Sequence, residues 1–99
     1  MALSTVIIRG GAIVTMDENS KKIGQMPNTY DLAAIGTDFF VCTRGIVLTT
    51  FDEHCNKIAG LKLGDYVVRS AAGNTFTCQR KNHIVVYDKY CNKISAKHI

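Results

Sequence analysis

Apolar residues along this chain come in short runs broken by polar turns. TVIIR, AIVTM, FVCTR, IVLTTF, FTCQR and HIVVY are each about five residues of mostly valine, isoleucine, threonine and aromatics, with Asp, Asn and Gly in the gaps between them. No segment keeps apolar positions at helical spacing with caps at both ends. The segment TYDLAA at 29–34 is at most one helical turn, cut short by Asp38 and the neighbouring glycine. The pattern predicts an all-β chain.

The runs also repeat. Asp17, Asp52 and Asp88 are each followed five residues later by Lys22, Lys57 and Lys93, and then at once by Ile23, Ile58 and Ile94. Eight residues before each aspartate stands Arg9, Arg44 or Arg80, and two before those stand Ile7, Cys42 and Cys78. The copies are offset by 35 and then 36 residues, giving about two and two-thirds units of two strands, a polar turn and a return strand. Units this small cannot bury their own faces, so they must pack on one another. The expectation is three related β-hairpin units of about 35 residues around a pseudo-three-fold axis. Their equivalent residues would meet on that axis: Ile13, Val47 or Leu48, and Val85, with Ile23, Ile58 and Ile94.

Composition adds bounds. Ninety-nine residues, 46% hydrophobic with a single proline, suit one folded domain spanning 1–99 and argue against a disordered tail. The net charge of +4 suits nucleic acid but equally suits solubility, and no Lys/Arg run exceeds two. The start, MALSTVIIRGGAIV, is interrupted by Arg9 and two glycines and lacks the marks of a signal peptide. Synthesis in the cytoplasm is therefore expected, with the four cysteines as thiols or metal ligands.

Two cysteine sets arise from the repeat. Cys42 and Cys78 are equivalent and would approach the axis together, where thiolates meeting a histidine would suit a zinc or iron ion. The alternative is that both are small buried hydrophobes. Cys55 and Cys91 lie in the polar turns, and His54 beside Cys55 suggests a nucleophile and base. Adjacent residues on an extended segment point apart, however, and Cys91 has Tyr90 in place of histidine. No catalytic residue is expected. Arg44, Arg69, Arg80 and Lys81, with Tyr66 and Phe76, offer a second reading as the platform of a small nucleic-acid-binding β-barrel.

The connecting segments carry a resemblance. Asn56-Lys57-Ile58-Ala59-Gly60-Leu61-Lys62-Leu63-Gly64-Asp65 resembles the unit of the PAAR-repeat family, an apolar hairpin followed by Lys-Pro-Ala-Ala-Arg-x-Gly-Asp. Ala33-Ala34-Ile35-Gly36-Thr37-Asp38, ahead of Cys42 and Gly45, is similar to it with one residue inserted. The resemblance implies a small cone-shaped PAAR-like domain, non-enzymatic, that caps a trimeric β-helical spike of a contractile phage tail or type VI secretion system. It implies a monomer, one per spike trimer, meeting the target cell envelope in the virion baseplate or secretion tip, with no nucleic acid bound. In that family a metal near the apex is held by histidines and cysteine, at positions matched here by Cys42, Cys78 and His83.

Overall fold

A computed structural model describes residues 5–98. It is all-β, as the pattern predicts, with eleven strands among the described residues: β1 (Thr5–Arg9), β2 (Ala12–Met16), β3 (Lys22–Pro27), β4 (Asp31–Ile35), β5 (Phe39–Arg44), β6 (Val47–Asp52), β7 (Lys57–Lys62), β8 (Val67–Ala72), β9 (Thr75–Arg80), β10 (His83–Asp88) and β11 (Lys93–His98). They form three antiparallel meanders, β1-β2-β3, β4-β5-β6-β7 and β8-β9-β10-β11. The two strands and return strand of each copy lie where the repeat puts them. TYDLAA is not a helical turn; most of it is strand β4.

The turns explain the repeated aspartate. In each copy one Asp carboxylate oxygen accepts two backbone N–H groups of its own turn. Asp17 takes those of Asn19 (2.9 Å) and Lys21 (3.0 Å), Asp52 those of His54 and Asn56 (both 2.9 Å), and Asp88 those of Tyr90 and Asn92 (both 2.9 Å). The turn closes through a left-handed residue, Ser20 (φ 60°), Cys55 (φ 66°) or Cys91 (φ 63°), whose N–H returns to the aspartate carbonyl. A bulge follows at equivalent places, between Thr15 and Met16, Thr50 and Phe51, and Val86 and Tyr87. At the other end of the first hairpin, Gly10 and Gly11 are both left-handed (φ 58° and 78°), as a two-residue turn matching strand twist requires.

The sheets pack face to face in series. Along β5, Phe40 and Cys42 point to the first sheet, where they join Val6, Ile13, Met26 and Phe51. Phe39 and Val41 point the other way and join Leu48, Leu63, Phe76 and Cys78. The middle sheet is therefore buried on both faces, and β5 is enclosed from Phe39 to Cys42. Each fully buried Phe or Leu here contributes roughly 1.5–3 kcal/mol of hydrophobic stabilisation.

This packing does not confirm the expected arrangement around an axis. Ile13 belongs to the first core and Leu48 to the second, so the equivalents do not gather in one place. Val47 and Ile94 are exposed, at 47% and 56%. The physical reason is that both faces of a β-sheet can be apolar, so a middle unit bridges two neighbours and the outer units need not touch. Of the strands in different sheets, β4 and β8 run against each other most extensively. The second and third sheets thus meet along their first strands, β4 and β8.

Candidate functional site

Both joints between sheets are built alike. The Thr15 hydroxyl donates to the Glu53 carbonyl at 2.6 Å across the first joint, and the Thr50 hydroxyl to the Lys89 carbonyl at 2.7 Å across the second. Stacked ring pairs recur with them: Phe40 on Phe51 (5.4 Å, 19°) and Phe76 on Tyr87 (5.4 Å, 21°). The second joint adds a Lys89–Asp38 ion pair at 2.8 Å, which raises the Lys89 pKa.

The predicted ligand residues fall apart in this frame. Cys42 lies in the first core, Cys78 in the second, and His83 is exposed at the start of β10. Among the described residues, no group of three or more His, Cys, Asp or Glu side chains is placed to hold a metal ion. Burial pushes the Cys42 thiol up to about 12, with the charges of Cys55 and Asp31 adding to it. Burial likewise pushes Cys78 up to about 11, with Cys91 adding to it. Such thiols stay protonated at neutral pH and act as small apolar packing groups. Cys55 sits where the left-handed turn meets Thr15 (Sγ to Oγ1, 4.0 Å), its pKa also raised chiefly by burial. The neighbouring His54 ring is 3.9 Å from the Glu53 carboxylate.

Strand direction produces a more distinctive feature. Arg9, Arg44 and Arg80 each end the strand that precedes the first turn of their unit, so all three project at one end of the stack and all are exposed. Arg69 in the upper half of β8, with Lys62, Lys81 and Lys97, adds to that end, against Asp31 and Asp65. The opposite end balances Asp17, Glu18, Asp38, Asp52, Glu53 and Asp88 against Lys21, Lys22, Lys57, Lys89 and Lys93. The excess positive charge of the chain is thus concentrated at the arginine end.

A cleft opens there, lined by Asp65, Arg80, Lys81, Asn82, His83 and His98. His83 and His98 face each other across β10 and β11, ring centres 4.9 Å apart. The Arg80 guanidinium lies over the Tyr66 ring at 5.2 Å, a cation–π contact that orients it. Of the platform named from sequence, Arg44, Arg69, Arg80, Lys81 and Tyr66 share this end, but Phe76 is fully buried and cannot stack on a ligand. Sequence reasoning missed Arg9 as a member, although its place in the repeat marked it. The chain matches no protein-family model, no curated protein and no solved structure.

Proposed function

We propose that this chain is a non-enzymatic binding module that takes the backbone of a nucleic acid along the arginine end of its stacked sheets. The observation that carries the reading is the shared register of Arg9, Arg44 and Arg80. Sheets packed face to face lie about 10 Å apart, so the stack presents a guanidinium at regular intervals to a ligand of regularly spaced phosphates. Guanidinium groups pair bidentately with phosphate oxygens, and Arg80 is already oriented by Tyr66. The cysteines fit a packing role better than a catalytic one, since burial holds them protonated.

The spike-tip reading needs three units disposed around one axis, so that a trimer finds three matching edges at a common base. Ile13 and Leu48, equivalent in the repeat, lie in separate cores, so that reading has less support here than the arginine register.

Fluorescence anisotropy with labelled single-stranded and duplex oligonucleotides, at a series of salt concentrations, tests the proposal. The expected affinity is on the order of 10⁻⁴ to 10⁻⁶ M at physiological salt, weakening steeply as salt rises. Replacing Arg9, Arg44 and Arg80 together by Gln should flatten the log–log salt slope by roughly 2 to 3 units. No binding at low salt, or a slope that the triple variant leaves unchanged, sinks the proposal.

A further inference from the structure

The two end sheets present outer faces at the same register positions that form the joints inside the molecule. On the first sheet Ile7, Val14 and Met16 face outward. They are the counterparts of Cys42, Thr49 and Phe51, which in the middle sheet are covered by the preceding unit. On the third sheet the outward residues include Ile84, Val86 and Ile94, the counterparts of Leu48, Thr50 and Ile58, which the following unit covers. Both faces are hollowed. A groove floored by Val14 and Met16 marks the first, and one lined by Val67, Arg69, Gln79 and Lys81 marks the third.

The geometry points to a second copy of this chain as the occupant, docked head to tail so that the third sheet of one copy covers the first sheet of the other. The warrant is continuity: the same joint is made twice within the chain, and both halves of it are left facing outward at the ends. A joint that joins unlike faces builds either an open filament or a closed ring, and the outcome depends on the rotation at each step. The second and third sheets meet along β4 and β8, and a rotation about that edge repeated at every joint would curve the stack round. The three sheets among the described residues, taken from each of two copies, make six, within the range of four to eight that closed rings of this kind use. The assembly is a closed dimer.

The rims of the two faces carry like charge, Arg9 and Lys22 on one and Arg69, Lys81 and Lys97 on the other. Attraction therefore comes from the apolar centres, and salt should strengthen association by screening the rims. This is the opposite of the salt dependence expected for nucleic-acid binding, and the test is run without nucleic acid.

Sedimentation equilibrium over a wide concentration range should give twice the chain mass of 10.9 kDa, with the dimer favoured by moderate salt. Val86→Glu and Met16→Glu each place a charge in the joint and should give monomers with unchanged far-ultraviolet circular dichroism. Mixing the two variants should restore a pair, because one of its two joints is then wild type on both sides. A wild-type monomer at every concentration overturns the inference, and so does a polymer that keeps growing with concentration. A dimer insensitive to either single variant, or no pairing on mixing, overturns the head-to-tail arrangement.

Discussion

The Thr50 hydroxyl donates to the Lys89 carbonyl at 2.7 Å, and 35 residues earlier the Thr15 hydroxyl makes the same bond to Glu53 at 2.6 Å. Both threonines are fully buried, and each hydroxyl ties its sheet to the turn of the next across a part-buried bond. The third unit has Val86 at this position, on the outward face, with no hydroxyl to offer.

Thr50→Val should therefore cost about 1–3 kcal/mol, because it keeps the shape and leaves the part-buried Lys89 carbonyl without its donor. Thr50→Ser keeps the donor and should lose only what its missing methyl contributes, about 1 kcal/mol. Urea unfolding of the two variants gives the comparison. A valine variant as stable as wild type would show that the bond adds nothing to the joint.

Gly24 shows how closely the first two sheets approach. A Cβ built there would stand 2.7 Å from the His54 carbonyl carbon, closer than real contacts come, and the obstacle is backbone rather than a movable side chain. Gly24→Ala should force the turn away from the first sheet and cost roughly 1–3 kcal/mol. Ala59, the equivalent residue one unit on, carries its Cβ already, so the close approach belongs to the first joint alone. Thermal melting of Gly24→Ala, beside Gly60→Ala as a control with no contact under 3.7 Å, measures the difference.

Much of this fold was legible because its repeat is chemical as well as hydrophobic. The spacing Arg-x₇-Asp-x₄-Lys-Ile marks strand, turn and return strand, and the structure shows the aspartate bonding its own turn each time. The strands β4 and β8 were harder to read. Their residues alternate only between exposed and half-buried, so the local pattern carries little apolar contrast. A repeat also defines a unit without defining the operation that relates one unit to the next. One signal did separate series from axis: the middle copy reads FFVC, apolar on both faces, whereas the third reads TFTC, apolar on one. Only a unit with two neighbours needs the first pattern. In the same way, equivalence in the repeat puts Cys42 and Cys78 one joint apart rather than together.

Ser20 holds a left-handed backbone at φ 60° on an exposed turn, where its side chain gains no packing to offset the strain. Ser20→Gly should stabilise the protein by about 0.5–1 kcal/mol, since glycine adopts this conformation without a Cβ penalty. At Cys91, equally left-handed, the same change should gain less or lose, because Cys91 packs against the second core. Paired denaturation curves check the contrast, and a Cys91→Gly gain as large as that of Ser20→Gly would contradict it.

The buried thiols give a pH dependence with a definite sign. Cys42 and Cys78 are pushed up to about 12 and about 11 in the folded chain, chiefly by burial, against an ordinary 9.0. The folded form therefore holds these protons after the unfolded form has lost them. Stability from this source is complete below pH 9 and declines as pH rises through the window from 9 toward 11 and 12. Replacing Cys42 and Cys78 by Ala should lower stability at neutral pH, since packing is lost, yet reduce the decline above pH 9. Urea midpoints of wild type and the double variant between neutral and alkaline pH separate the two effects. Parallel declines would mean that other groups, not these thiols, set the alkaline limit.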